Sequence, residues 1–149
     1  MSPLLSVSIT TGIFSGIWVW MADSLSLLSW AGFLGCTGYF ASKGDIKSLI
    51  QTISANLAGV GWAIVIASSA SFISGTMGNY LMVTLVAFLM CIQARYPLLS
   101  YIPGTFIGAC STFAADGQWQ PVIPSLILGA VIGFLMKQSG RWLHYSTSR

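Results

Sequence analysis

Charge is nearly absent from this chain. Six Lys and Arg and three acidic residues are all that 149 positions carry, 6% of the sequence against the roughly one quarter of an ordinary soluble domain. With 55% of residues hydrophobic, that shortage excludes a water-soluble globular domain, which would have no surface to show to water. The cations stand singly and form no patch or stripe, so nucleic-acid binding is excluded as well. Cys36, Cys91 and Cys110 lie in apolar runs with no CxxC pair and no neighbouring His, which reads as small buried hydrophobes; no metal or cofactor is implied. The opening MSPLLSVSITTG has no Lys or Arg ahead of its apolar run and no convincing cleavage site after it, so it is expected to be a retained first helix.

What is present is apolar length. Stretches at about 4–22, 25–42, 48–70, 79–94, 98–115 and 121–138 are separated by polar or turn-forming clusters: Asp23 with serines, SKGDIK, SGTMGN, QARYP and ADGQWQP. A helix needs about 20 apolar residues to cross the hydrocarbon core. The expected fold is therefore an all-α membrane protein of six transmembrane helices, forming a single integral membrane domain over 1–149. Such a chain contacts the lipid bilayer directly.

If the chain starts in the cytoplasm and crosses six times, Lys43, Lys47, Arg95, Lys137, Arg141 and Arg149 all fall inside. Asp23 and Asp116 then occupy the outer loops, without a cation. Because short cytoplasmic loops retain Lys and Arg, this partition predicts an inner-membrane, multi-pass protein with both termini cytoplasmic and a tail over 139–149. Trp18, Trp20, Trp30, Trp119 and Trp142 are expected at the interfaces as anchors, while Trp62 lies deeper and packs.

A phrase is repeated. FLGCTGYFASKG at 33–44 and FIGACSTFAADG at 106–117 share five identities in twelve positions, at a spacing of 73, where this composition would give roughly one. LLSW at 27–30 is echoed by LLSY at 98–101. Three spans per half place the second half upside down, which predicts two inverted three-helix repeats, about 4–70 and about 79–138. The reversal of charge from Lys43 to Asp116 follows from that inversion.

Small residues at four-residue spacing predict close helix contacts: Ser8, Gly12 and Gly16; Ala31 and Gly35; Ala55, Gly59 and Ala63; Ser100, Gly104 and Gly108; Ser125, Gly129 and Gly133. Pro103-Gly104, Pro121 and Pro124 read as residues of first helical turns, with broken helices at a midplane site as the alternative.

No ionisable side chain sits in the middle of a predicted span, which disfavours proton or ion coupling. The sequence spells no catalytic constellation around His144, so no enzyme is expected. The polar groups at membrane depth are neutral: Thr10, Thr11, Thr37, Asn56, Ser111 and Thr112, with Gln51 and Thr52 beside them. They suit either hydrogen bonds between helices or the lining of a path for a small neutral solute. The candidate pore or helix-packing residues are Gly35, Thr37, Phe40, Asn56, Gly108, Ser111, Thr112 and Phe113, with the two repeated phrases expected to face each other.

The runs ITTGIFSGIWVW, LLSWAGFLGCTGYFA, VAFLMCIQA, PGTFIGACSTFA, PSLILGAVIGFLMK and SGRWL resemble the YcdZ-type small inner-membrane proteins of bacteria, a family of unknown function. The resemblance runs from the first helix to Leu143, is weakest near 71–79 and in the tail, and implies an integral inner-membrane protein. It transfers no catalytic or binding residue. Two functions are carried forward: a channel or facilitator for a small uncharged solute, open to assembly as a homo-oligomer, and a structural or partner-binding membrane subunit.

Overall fold

The computed structural model describes residues 2–69 and 76–147 and is all-helical, with no strand among the described residues. Its elements are α1 (Pro3–Ser24), α2 (Ser29–Phe40), α3 (Ile46–Ser69), α4 (Thr76–Ile92), α5 (Ile102–Ala114) and α6 (Trp119–Thr147). Two 3-10 turns, Gln93–Arg95 and Pro97–Leu99, join α4 to α5. The close of the third apolar stretch and part of the SGTMGN break fall on 70–75, outside the described residues.

Local chemistry sets the boundaries. Ser2 caps α1 by accepting a hydrogen bond from Leu5 N at 3.2 Å, with Pro3 in the first turn. The helix stops where Ser26 turns to φ 54° and Leu27 N reaches back to Ala22 O at 2.8 Å. The same device closes α5, where Asp116 sits at φ 53° and Gly117 N bonds Thr112 O at 2.9 Å. Asp45 starts α3 by accepting from Ser48 N at 2.7 Å. Gly44 and Gly117, matched in the repeated phrases, hold φ +82° and +79°, a left-handed conformation that favours glycine.

The helices are unequal in length. Among the described residues, four stretches are long and apolar enough to cross a membrane: Pro3–Ser24, Ile46–Ser69, Thr76–Arg95 and Trp119–Thr147. α2 has 12 residues and α5 has 13, about 18–20 Å of helix against a hydrocarbon core of about 30 Å. The sequence predicted full spans at 25–42 and 98–115. The difference arises because residues 25–28 and 98–101, counted in the apolar stretches, are spent on turns. The last helix is longer than predicted: it runs through the expected tail to Thr147, because Gly140 lets it close on Val7 of α1.

Packing pairs the short helix α2 with α6 and the short helix α5 with α3. On α2 and α6, Leu28 N donates to Ser125 Oγ at 3.0 Å, Gly32 meets Gly129, Cys36 meets Gly133, and Phe40 meets Lys137. Numbers rise together, so these helices run parallel. On α3 and α5, Asn56 meets Gly104 and Gly108, Gly59 meets Thr105 and Ala109, and Ala63 packs near Ala109, again in parallel. α1 lies antiparallel on α6, with Thr10 Oγ1 donating to Met136 O at 2.9 Å.

Charges sort by end. Gly44 touches Lys137, and Gln51 of α3 donates to Pro97 O, so the segments carrying Lys43, Lys47, Arg95, Lys137 and Arg141 gather at one end. Asp116 adjoins the start of α6, about 27 Å of helix from Lys137.

Several residues expected at surfaces or contacts stand elsewhere. Trp18, expected as an interface anchor, is buried and donates its indole N–H to Ser29 O at 2.9 Å. Trp20, Trp30, Trp119 and Trp142 are exposed. Cys36 is buried as predicted, whereas Cys91 and Cys110 are exposed, against the predicted burial. Two members of the α1 stripe face open space: a Cβ at Gly12 or Gly16 would meet no atom of the described residues within 4 Å. Ser100 precedes α5, so that stripe begins at Gly104.

Candidate functional site

The seam between α3 and α5 holds three of the four buried polar atoms that the fold leaves unanswered; the fourth, Tyr39 OH, belongs to an α2 side chain packed against Leu49 and Phe134. Among the described residues, four buried side-chain atoms lack a hydrogen-bond partner: Asn56 Nδ2, Asn56 Oδ1, Thr52 Oγ1 and Tyr39 OH. Asn56 is 1% exposed and Thr52 0%. A buried amide or hydroxyl without a partner costs about 1–3 kcal/mol by mutational scales, and more in hydrocarbon. Such a cost concentrated in one place points to an occupant.

Thr52 and Asn56 lie one turn apart on the face of α3 that meets α2 and α5. Gly38 and Gly104 flank them: a Cβ at Gly38 would stand 3.3 Å from Thr52 Cγ2 and 4.0 Å from Asn56 Oδ1, and one at Gly104 would stand 3.3 Å from that same Oδ1. Tyr101, just before α5, closes the remaining side. Its hydroxyl donates to Gly38 O at 2.9 Å, and its ring lies 2.8 Å from where a Gly104 Cβ would be.

On the far side of Tyr101 is a cavity of about 330 Å³, lined by Ser42, Lys43, Ser48, Gln51 and Ser100 among others. It lies at the cation-bearing end. A second cavity of about 330 Å³ lies at the opposite end of the same seam, lined by Ala63, Thr112, Phe113 and Trp119 among others. Between them the helices touch backbone to backbone, since a Cβ at Gly59 would collide with Thr105 O and one at Gly108 with Asn56 O. The seam is closed in this conformation.

The eight candidate residues do not gather at this seam. Asn56 and Gly108 meet in it. Thr112 borders the second cavity, and its hydroxyl is used on Gly108 O at 3.0 Å. Ser111 Oγ donates to Ile107 O at 2.7 Å within its own helix. Phe113 is exposed beside the second cavity. Gly35 lies on the other seam, against the Leu126 carbonyl of α6. Thr37 is exposed, donates to Phe33 O, and shares with Phe40 a groove of about 260 Å³ that includes Thr11, Cys36 and Met136. The repeated phrases therefore do not line one path face to face. Each is occupied mainly with a third helix, because its glycines admit that helix's backbone.

Sequence reasoning missed Tyr101 and gave Tyr39 no role. Tyr101 ends an echoed phrase, LLSY, and an aromatic hydroxyl next to a Pro-Gly helix start was the available signal. It also missed the Gln93 relay: Trp62 Nε1 donates to Gln93 Oε1 at 2.8 Å, and Gln93 Nε2 donates to Thr105 Oγ1 at 3.1 Å, tying the end of α4 to the seam.

Charge stays clear of the unanswered amide. Lys137 Nζ lies 3.4 Å from both Phe40 O and Ser42 O and 5.6 Å from the Tyr39 ring centroid, so it neutralises the carboxyl end of α2. No group of three or more His, Cys, Asp or Glu able to hold a metal lies among the described residues.

Comparison with known proteins places the chain among membrane proteins. Residues 8–141 match the family described as protein of unknown function (DUF1097). The chain is 55% identical over 145 residues to inner membrane protein YcdZ of Escherichia coli K12, covering 96% of this chain and 89% of that one. The YcdZ protein of Salmonella typhimurium LT2 is 54% identical over 145 residues, covering 96% and 91%. The uncharacterized protein YahC of Escherichia coli K12 is 27% identical over 161 residues, covering 100% and 98%. No solved structure matches.

Proposed function

The chain belongs to the DUF1097 family, membrane proteins without an assigned activity, and from its geometry we propose that it is an inner-membrane facilitator for a small uncharged solute. The path runs along the α3–α5 seam, from the cavity beside Tyr101, past Thr52 and Asn56, to the cavity beside Thr112. The carrying observation is the Asn56 amide, buried with both polar atoms unpartnered between two end cavities. Opening requires the seam to part, as alternating-access proteins do by moving one bundle against another.

The proposal includes two inverted three-helix halves, α1–α3 and α4–α6, with both termini at the cytoplasmic, cation-bearing end. Matching close contacts support it. Gly129 is built against Gly32 O as Gly59 is against Thr105 O, and Gly35 against Leu126 O as Gly108 is against Asn56 O. Residues 32 and 105, and 35 and 108, are partners in the 73-residue spacing. The short helices α2 and α5 then count as crossings completed by their turn segments.

Purified protein in liposomes should speed osmotic equilibration with at least one of glycerol, urea, acetamide or a short polyol. A rate equal to that of protein-free vesicles across the whole panel overturns the proposal.

The open stripe of Ser8, Gly12 and Gly16 favours a second reading, a membrane subunit that docks a partner or a second copy through α1. A fixed cross-linked partner on α1, together with no solute flux, supports that reading instead.

A further inference from the structure

We infer that Asn56 and Thr52 form a binding site for an uncharged primary-amide or urea-type molecule, entered from the Lys43 end and closed by Tyr101. For its route of entry the inference rests on the passage proposed above.

The ligand class follows from the unanswered atoms. Asn56 presents an amide oxygen and an amide nitrogen side by side, both buried and both without a partner. A primary amide or urea carries the same pair, so it can accept from Nδ2 and donate to Oδ1 at once, a two-bond match that an alcohol hydroxyl cannot give to both atoms equally well. Thr52 Oγ1 adds a hydroxyl that both donates and accepts. An ion would lie here without a counter-charge, because Lys137 is engaged at the carboxyl end of α2. Burying an uncompensated charge costs several kcal/mol, which removes ions from the class.

Only one of the two seams carries the site. At the matching place on α6 stands Leu126, buried with Val122 and packed by Leu28, where α3 has Asn56, Thr52 and, at the turn, Tyr101. The polar set therefore belongs to the half that opens on the Lys43 cavity, and the other is filled with hydrocarbon.

Tyr101 is the movable wall. Backbone at Gly38 and Gly104 forms the other near walls, and neither has a side chain to withdraw. The ring of Tyr101 lies against Gly104, and its hydroxyl bond to Gly38 O is what the structure shows holding it there. It is carried by the irregular segment between the 3-10 turns and α5, outside any helix. Rotation of this ring would connect the cavity of about 330 Å³ with Asn56 Oδ1.

The test uses the full chain, with its three native cysteines replaced and Thr52→Cys introduced, in membrane vesicles treated with methyl methanethiosulfonate. Modification should be slow. Tyr101→Phe, which keeps the ring and loses its hydrogen bond, should speed it about tenfold, the equivalent of one hydrogen bond of about 1.4 kcal/mol. Acetamide or urea should slow it, N,N-dimethylacetamide should not, and Asn56→Leu should abolish the protection. Equal rates with and without Tyr101→Phe, or no difference between acetamide and its dimethyl analogue, overturns the inference. If Thr52→Cys does not fold, thermal stabilisation of the purified parent protein by acetamide but not by N,N-dimethylacetamide, lost in Asn56→Leu, supplies the ligand readout, and equal effects of the two amides overturn the inference. Amide-specific protection without flux would support the site and remove the passage; glycerol flux without amide protection would remove the site and leave the passage.

Discussion

Gly108 lies so close to the main-chain carbonyl of Asn56 that no Cβ fits between them. This contact fixes the spacing of α3 and α5 and places the Asn56 side chain beside Gly38 and Gly104. In lipid, where apolar surface supplies no drive between helices, such backbone approach is a main source of packing energy.

Gly108→Val should therefore destabilise the purified protein by about 1–3 kcal/mol, the usual cost of overfilling a packed contact. Gly12→Val, on the open face of α1, should cost far less, limited to helix propensity and lipid contact. Thermal unfolding in detergent, followed by loss of the monodisperse species, compares the two. Equal destabilisation would mean that α1 is covered by another chain.

Asn56→Leu separates stability from function. Removing an amide with two unpartnered buried atoms should raise stability by about 1–3 kcal/mol, as expected when an unsatisfied polar group gives way to hydrocarbon. The same substitution should abolish solute flux in liposomes. A variant that loses stability would show that the amide is satisfied in the native membrane by a permanent partner.

The proposal of inverted halves makes a topological prediction. In a cysteine-free background, Lys43→Cys and Asp116→Cys should react with an impermeant maleimide from opposite sides of the bilayer. Labelling of both from one side would remove the inverted repeat and, with it, the symmetry behind the proposed path.

Asp45 supplies a pH signature outside the spans. Hydrogen bonds from the Ser48 side chain and main-chain N–H hold its carboxyl below the usual carboxylate range. A folded-state value below the unfolded one gives stability that is present above the unfolded value, near pH 4, and is lost as pH falls through the folded value. Asp45→Ala should therefore unfold at a lower temperature than the parent at pH 6, and the gap should close toward pH 3. A gap that persists at pH 3 would assign the effect to something other than this cap.

Sequence alone determined the class, because insertion into lipid depends on additive properties that composition reports: apolar length, the scarcity of charge and the shared phrase with its reversed sign. Gly44 and Gly117 were legible as a matched pair because a left-handed turn selects glycine locally. Asn56 stood out because an amide in hydrocarbon demands a partner wherever it lies. Tertiary structure decided what pairs with what. Nothing in the repeated phrases says that α2 packs on α6 and α5 on α3 rather than on each other, since a glycine stripe fits any backbone that comes close enough. The same holds for Trp18, whose burial depends on the turn that brings Ser29 O within reach, and for Tyr101, whose part arises only where Gly38, Gly104 and Asn56 converge from three separate segments.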